Sequence, residues 1–471
     1  MSDSQFTYIP RYFTQKGIAV FLGVTILMLL LFIQRIVPVQ WVFFNVVEVL
    51  LFFGLSSKLS MRWSKTSTTS FEKNLFKTSF FIRLVWVIFS YFYYSWMTGK
   101  PFEFEAADST GYHVEAIWLS GLLKANEWYV YKAYIGKNYS DMGYPFYLGI
   151  LYYVIGENVL IPRLIKAFLG AYTCIFIYKI ARNNFSESVG RIAGIMAMLV
   201  PNLIYYTGLH VKETEMVFLV VCFIYLADKL NRGRKISFSS MFWVLLIGAS
   251  LFFFRTVLAA CLVGSVGLAV FFTSHKVSSF GKRIGVIVVL VIGIILIAST
   301  PLVNSINEYL KASDQNLNSQ MDNFATRDGA NKLARYGSRG IFLPFMLMAP
   351  FPTLVYVADQ SNAMMLAGAY FTRNIYAFFV FIGLFALYKR RQLREHVLLL
   401  AFMLSYIFVL ASSGFALSER FHLPLVPFLL VFAAYGVSQL NNRNKKYYIP
   451  YLALVTLIIV GWNWFKVAGR S

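Results

Sequence analysis

The sequence predicts an all-α protein that crosses a membrane many times. Its 471 residues are 58% hydrophobic and only 14% charged, and the mean hydropathy is +0.62. A soluble domain carries about 25% charged residues, so the composition excludes a soluble globular fold. Apolar runs of about 17 to 23 residues recur along the chain, and each is long enough to cross a hydrocarbon core about 30 Å thick.

We expect about 13 spans. They lie at 18–37, 41–57, 78–97, 161–179, 190–207, 213–230, 238–254, 256–273, 284–302, 366–388, 397–414, 422–440 and 447–465. The first begins near Ile18 without a small-residue cleavage pattern, which indicates a retained span. Two short or proline-interrupted apolar pieces, 145–156 and 341–357, are typical of re-entrant or interfacial segments buried against protein.

The spans divide the chain into five parts. These are an N-terminal three-span segment (1–97), an acidic and aromatic loop with interfacial helices (98–160), a central bundle (161–302), a second loop with a re-entrant segment (303–365) and C-terminal helices (366–471). The first loop is too aromatic for disorder and predicts ordered helices at the membrane interface. The second is polar from Asn304 to Arg339 and predicts a mobile lid.

The charge pattern sets an orientation. The chain has 43 Lys and Arg against 21 Asp and Glu, a net charge of +22. The basic residues cluster in short loops between apolar runs, as in cytoplasmic loops, whereas no basic stripe favours nucleic acid as a partner. This places the N-terminus in the cytoplasm and most acids outside. Cys174, Cys222 and Cys261 lie in apolar runs and read as small buried hydrophobic residues.

A cluster of acids follows the third predicted span. Glu103, Glu105, Asp108 and Glu115 lie close together in sequence, with His113 among them. A carboxylate at the mouth of an apolar cavity can act as general base on a hydroxyl or help to bind a divalent cation. No metal-binding spacing such as HExxH occurs. We predict a catalytic role for Asp108, with Glu105 next, and a solvated loop is the alternative.

Three sets of cations are placed to bind an anion. Lys212 lies beside Glu213 at a hairpin between spans, where the alternative is a snorkelling lysine. Arg255 lies between two apolar runs with almost no loop. An arginine at or near membrane depth is rare, so it is expected to have either a functional role or a specific protein partner. Arg420 and His422 open a later span, where an arginine can bind phosphate in bidentate fashion or cap the preceding loop.

Short motifs recur in the order known from one enzyme superfamily. They are Asp108-x3-Tyr112-x3-Ala116-x2-Leu119-x-Gly121, Tyr144-Pro145 with Tyr147 and Gly149, Gly156-Glu157, Arg163, Tyr178 to Arg182 with Phe185, Pro201 to Tyr205, Lys212-Glu213 and Arg420 to Gly436. Over about residues 100–440 they resemble GT-C glycosyltransferases of the protein O-mannosyltransferase-like and aminoarabinose-to-lipid-A transferase-like kinds. That family usually starts this loop after its first span, whereas here two further spans come earlier, and Ser109 stands where that family often has a second acid.

The resemblance implies a GT-C-like bundle of about 13 transmembrane helices in the cytoplasmic (inner) membrane, with a periplasmic site. Such enzymes move a sugar from a polyprenyl-phosphate donor to a lipid, glycan or protein acceptor, and Asp108 matches the acid that activates the acceptor hydroxyl. A lipid-phosphate leaving group also agrees with the lack of a glycine-rich phosphate loop. The candidates for donor and substrate binding are Lys212, Arg255, Arg420, His422, Tyr112 and Tyr144. A divalent cation, held by Asp108 and Glu213, is the only cofactor left open.

Two other functions stay open. An O-antigen polymerase or ligase also has many spans, and Arg327, Arg335 and Arg339 would suit its lipid-diphosphate donor. A secondary transporter or flippase would gather ionisable residues near the membrane midplane. By sequence only Glu48 lies clearly there, and we expect it to have a hydrogen-bonded packing or assembly role.

We predict that the 103–144 loop faces the periplasm and that the clusters at 232–235 and 389–391 face the cytoplasm. In a cysteine-free parent, a single cysteine at position 110 should react with an impermeant thiol reagent added to the periplasmic side. A cysteine at position 390 should react only after the inner membrane is opened. Labelling of position 110 from the cytoplasmic side alone would overturn the site assignment.

Overall fold

The computed structural model describes residues 7–135, 140–232, 238–272, 345–358, 360–412 and 418–468. Within these ranges all regular secondary structure is helical, which confirms the all-α class. The predicted span 284–302 and the predicted loop 303–340 lie outside the described residues, and so do the loop arginines Arg327, Arg335 and Arg339.

The described helices are numbered in chain order. The first nine are α1 (Arg11–Leu31), α2 (Val39–Trp63), α3 (Thr68–Thr98), α4 (Ala107–Lys124), α5 (Trp128–Ile135), α6 (Gly143–Ile155), α7 (Leu160–Asn184), α8 (Glu187–Leu199) and α9 (Pro201–Tyr205). The others are α10 (Glu213–Arg232), α11 (Phe238–Phe254), α12 (Thr256–Phe272), α13 (Ser361–Met365), α14 (Ala367–Lys389), α15 (Val397–Ser412), α16 (Glu419–His422), α17 (Val426–Ser438), α18 (Asn442–Lys445) and α19 (Tyr448–Ala468).

Seven helices in the described part of the chain are long and apolar enough to cross a membrane. They contain α1, α2, α3, α7, α14, α15 and α19. Helix α8 and the α9 segment meet at 55° and together would make an eighth span. The apolar helices α6, α11, α12 and α17 are shorter. A multi-pass membrane protein is therefore supported, while the number of 13 spans stays a prediction.

Two helix boundaries differ clearly from the predicted spans. Helix α1 begins at Arg11 and ends at Leu31, and α3 begins at Thr68, where the Ser67 hydroxyl accepts a hydrogen bond from the Ser70 amide. Hydropathy locates the apolar part of a helix, whereas caps and prolines locate its ends. The polar first turns of both helices were therefore missed.

The predicted span 190–207 is broken at Pro201. A proline has no amide hydrogen, so the carbonyl of Ala197 loses its helical partner there. Arg83 of α3, only 1% exposed, donates to the Ala197 carbonyl at 3.2 Å and to the Met198 carbonyl at 3.3 Å. The arginine thus stabilises the break between α8 and α9.

The start of α14 is held in the same manner by two side chains of α2. Asn45 accepts from the Gly368 amide at 2.9 Å, and Glu48 accepts from the Ala369 amide at 2.8 Å. A Cβ atom at Gly368 would lie 2.4 Å from the Asn45 carbonyl oxygen, so the close approach requires glycine. Glu48 therefore has the hydrogen-bonded packing role that the sequence predicted.

The segment 350–357 is buried but follows no regular helix. Its backbone is paired by side chains of the neighbouring long helices. Asn374 donates to the carbonyls of Met348 and Pro350, and Asn463 donates to Pro352 and accepts from the Leu354 amide. Non-helical backbone at membrane depth needs such partners. The described part of the predicted 341–357 piece is thus buried against protein, whereas the 145–156 piece forms α6.

The described residues of the first long loop include the helices α4, α5 and α6, and their place at a membrane interface stays a prediction. Helices α4 and α6 pack closely, because a Cβ atom at Gly149 would lie 2.5 Å from the Leu119 side chain. Trp118, Trp128 and Tyr129 are exposed along this surface. The described part of the loop is therefore largely helical, and the first turn of α4 carries Asp108.

Candidate functional site

Four separate segments meet at one charged cluster. It is formed by the first turn of α4, the hairpin before α10, the turn between α11 and α12, and the short helix α16. These segments contribute Asp108, Lys212 with Glu213, Arg255 and Arg420 respectively. The cluster therefore brings together most of the residues that the sequence proposed.

Arg420 lies at the centre of this cluster and bridges two carboxylates. Its Nη1 atom donates to Asp108 Oδ2, and its Nε atom donates to Glu213 Oε1. Glu213 is fully buried, whereas the Asp108 side chain is 53% exposed. One guanidinium thus joins a buried acid to an acid that solvent and a substrate can reach.

Lys212 lies next to this bridge. Its ammonium group pairs with Asp141 and lies 5.9 Å from the centre of the Tyr112 ring. Burial lowers the pKa of Lys212, and the carboxylate of Asp141 opposes the shift. Tyr112 in turn packs edge-on against Tyr144, with ring centroids 5.2 Å apart. The two predicted tyrosines therefore form an aromatic wall beside the cations.

Arg255 is held by aromatic side chains rather than by a carboxylate. Its guanidinium lies 4.2 Å from the centre of the Phe421 ring, and the Tyr406 hydroxyl is within hydrogen-bonding reach. In the described ranges no acid lies within ion-pairing distance of Arg255, and its Nη1 atom is buried without a hydrogen-bond partner. Glu213 and Asp141 are near enough to act on it electrostatically. The arginine keeps one donor for an anion.

Lys166 on α7 fixes the hairpin that carries Lys212 and Glu213. Its fully buried ammonium donates to the Leu209 carbonyl at 2.8 Å and to the Val211 carbonyl, and it pairs with Glu215 at 3.6 Å. The sequence analysis missed this lysine. Its signal was a charge inside the apolar run that was predicted as the span 161–179.

Two predicted site residues lie outside the cluster. Glu105 is exposed, and its carboxylate accepts a hydrogen bond from the Ser361 amide at 3.1 Å. His422 is fully buried, and its Nδ1 atom lies 2.9 Å from Nη2 of Arg373. Because α16 is a single turn, Arg420 and His422 point in different directions. His422 therefore supports the fold beside the site rather than binding an anion with Arg420.

Besides Glu48, several other charged side chains lie inside the protein in its described part. Arg83 and Arg373 are both 1% exposed or less, and each donates to backbone carbonyls. Glu419 is also buried, and its carboxylate accepts from Asn202 and, at 2.7 Å, from Tyr206. Their partners are distant in sequence, so no local pattern revealed these networks.

A hydrogen-bonded chain runs beside the cluster from the surface to the hairpin. Glu157 pairs with His113 at 3.3 Å, His113 contacts the Tyr152 hydroxyl at 2.9 Å, and that hydroxyl contacts His210 at 3.2 Å. Burial lowers the pKa of both histidines. Near neutral pH both imidazoles are therefore uncharged, and they connect α4, α6 and the hairpin by hydrogen bonds.

The described residues provide little for a metal ion. They contain no group of three or more His, Cys, Asp and Glu side chains arranged to hold one. Asp108 and Glu213, the two predicted ligands, both bind the guanidinium of Arg420. Because a cation already occupies the space between them, the arrangement fits an anion-binding role better than a divalent cation.

Comparisons with known proteins assign no function to this chain. No family model, no curated protein and no solved structure matches this chain. The chemistry that the arrangement can perform therefore follows from its groups. It offers an accessible carboxylate, three cations at helix ends and an aromatic wall.

We predict that Lys166→Met lowers the free energy of unfolding by about 3–5 kcal/mol, because it leaves Glu215 and two carbonyls unpaired in the interior. Lys179→Met on the same helix is the matched control, since its partly exposed pair with Glu72 should contribute less than about 1 kcal/mol. Both values can be measured by denaturant unfolding in detergent. Equal losses in the two variants would contradict the tethering role of Lys166.

Proposed function

We propose that this chain is a glycosyltransferase that moves a sugar from a polyprenyl-phosphate donor to an acceptor hydroxyl at the outer face of the cytoplasmic membrane. The observation that carries the proposal is the meeting of accessible Asp108 with Arg420, Lys212 and Arg255 at the ends of apolar helices. A lipid phosphate needs cations near its headgroup, and transfer to a hydroxyl needs a base. The resemblance to GT-C enzymes agrees with both requirements.

The charge distribution supports an outward-facing site. The cluster lies at the start of α10, whereas Lys229 and Arg232 lie in its last turn. Helix α10 is not among the seven candidate spans, but a helix of this length separates its ends by about 30 Å, roughly the thickness of the hydrocarbon core. Since basic loop residues mark the cytoplasmic side, the opposite end of α10 is the outer end.

The donor phosphate would bind among the three cations. Arg255 offers the Nη1 donor that has no partner, and Lys212 exchanges exposed Asp141 for a phosphate oxygen. The phosphate also competes with Asp108 for the guanidinium of Arg420. Exchanging one anion for another in this way keeps every cation paired, so the desolvation cost stays small. The polyprenyl chain would extend along the exposed apolar helices.

Phosphate binding also prepares Asp108 for catalysis. While Asp108 is paired with Arg420, its Oδ2 atom accepts from the guanidinium and is not available to an acceptor hydroxyl. When the phosphate takes its place, Asp108 is released toward the acceptor and accepts the hydroxyl proton. The acceptor oxygen forms a bond to the anomeric carbon, the bond from that carbon to the phosphate oxygen breaks, and the polyprenyl phosphate leaves. Direct displacement of this kind inverts the anomeric carbon.

The alternative functions receive less support from the described residues. The arginines that would suit a polymerase or ligase lie outside them. Arg83 and Arg373 are ionisable residues at membrane depth, as a transporter requires, but both donate to backbone carbonyls where helices break or end. These contacts explain both arginines without a transported substrate.

We predict that Asp108→Asn lowers the turnover number for sugar transfer by about 100-fold to 10000-fold, because the amide cannot accept the hydroxyl proton. The free energy of unfolding should fall by less than about 1 kcal/mol, since the pair with Arg420 is half exposed. Purified protein and a panel of polyprenyl-phosphate hexoses and pentoses provide the assay, and Glu105→Gln is the control. Loss of transfer in the control with normal transfer by Asp108→Asn would assign the base to Glu105.

We predict that Arg255→Ala weakens the binding of polyprenyl phosphate by about 10-fold or more, and that Arg255→Lys is intermediate because it keeps the charge but loses the planar donor pair. Stability should fall by only about 1–2 kcal/mol, since the arginine loses a ring contact rather than a buried carboxylate. Binding and unfolding are measured on the same detergent samples, with exposed Arg394→Ala as the charge-matched control. Unchanged affinity with a loss of about 3–5 kcal/mol would refute the phosphate role.

A further inference from the structure

An internal cavity lies behind the charged cluster, between α3, α7, the α9 segment and α10. Its lining includes Arg83, Thr173, Tyr206, Glu213 and Thr214, all of them buried. The void has room for about one water molecule. Glu213 lies in its wall and in the cluster, so the cavity and the candidate site share one residue.

Three of the lining residues each carry a buried polar atom that has no hydrogen-bond partner. These atoms are Nε of Arg83, Oε2 of Glu213 and Oγ1 of Thr214. They comprise a donor, an acceptor and a hydroxyl that can be either. Buried polar groups are almost always paired with protein or with ordered water, so three complementary unpaired atoms around one small void indicate a ligand.

We propose that this cavity binds one structural water that joins Arg83, Glu213 and Thr214. The water would accept from Arg83 Nε, donate to Glu213 Oε2 and bind the hydroxyl of Thr214. Among the described residues, Arg83 and Glu213 do not form an ion pair. A water molecule is therefore needed to connect them. A Cβ atom at Gly170 would lie 2.6 Å from Arg83 Nε, so the glycine leaves room for the Arg83 side chain at this position.

The water makes Arg83 a positioning residue of the proposed transferase. Oε1 of Glu213 binds Arg420, and Arg420 binds Asp108. Holding Oε2 of the same carboxylate fixes the rotation of Glu213 and so the place of the guanidinium. This step rests on the proposed function, whereas the binding of water does not.

Thr214→Val tests the water through the sign of its effect on stability, because valine replaces the hydroxyl with a methyl group of the same shape. If the hydroxyl binds water, the variant loses a hydrogen bond, and for a chain of 471 residues the melting temperature should fall by about 1–2 °C. Thr214→Ser keeps the hydroxyl and should retain most of the stability. An unchanged or raised melting temperature for Thr214→Val would overturn the proposal, since removing a truly unpaired hydroxyl does not destabilise.

Thr173→Val is the matched control in the same cavity wall. The Thr173 hydroxyl already donates to the Leu169 carbonyl of its own helix at 2.9 Å, so its removal should change the melting temperature by less than half of the Thr214→Val effect. Arg83→Lys and Thr214→Val should also be non-additive, because both remove contacts to one water. Equal effects of the two valine variants, or strict additivity, would overturn the shared water.

The proposed effect of the water on the candidate site is tested by measuring the affinity for polyprenyl phosphate. Thr214→Val should weaken it by about 3-fold to 10-fold, Thr214→Ser should restore it, and Thr173→Val should leave it unchanged. Wild-type protein that binds no polyprenyl phosphate, together with the expected melting temperatures, would refute the proposed function but not the water. Normal affinity in Thr214→Val with wild-type binding intact would refute the positioning role of Arg83.

Discussion

The structure depends on one constraint, which is that backbone groups freed by a break in a helix must be paired inside an apolar layer. Three breaks in the described part of the bundle are met by buried polar side chains from other helices. Arg83 binds the carbonyls before Pro201, Asn45 binds the first turn of α14, and Asn374 binds the irregular segment before α13. These side chains therefore determine where the long apolar helices are interrupted.

The candidate site is built on two further interruptions of the helices, the hairpin before α10 and the single turn α16. Lys166 holds the hairpin at 209–212 through two carbonyls, and this fixes Lys212 and Glu213 at the start of α10. The single turn α16 is anchored inward by Glu419 and His422, which leaves Arg420 to face Asp108. Side chains held by such a frame stay close to one geometry, which catalysis and anion binding both require.

The sequence predicted the part of this arrangement that depends on local signals. Apolar length gave most of the helices, and charges beside apolar runs gave Asp108, Lys212, Arg255 and Arg420, which the structure brings together. Helix ends were less accurate, because caps such as Ser67 are polar and lie outside the hydropathy signal. The cluster could not be assembled from the sequence alone, since it joins segments more than 300 residues apart.

The buried partners were missed for a different reason. Lys166, Arg373 and Glu419 bind groups that lie 43, 27 and 213 residues away, so no spacing along the chain relates them. The sequence signal that identified Glu48 is an ionisable residue inside an apolar run. The same criterion identifies Arg83 and Arg373.

The partners of the buried cations separate those that support the fold from those that are available to a substrate. Arg83, Lys166 and Arg373 donate to backbone carbonyls. A carbonyl that loses such a partner inside an apolar layer has no water to replace it. Those contacts therefore cannot be exchanged. Lys212 and Arg420 are bound to the exposed carboxylates of Asp141 and Asp108, and Arg255 contacts aromatic side chains, whereas the pair of Arg420 with buried Glu213 belongs to the fixed frame. A carboxylate released into solvent regains its hydration, so the contacts with Asp141 and Asp108 can be exchanged for another anion, as the proposed transferase requires.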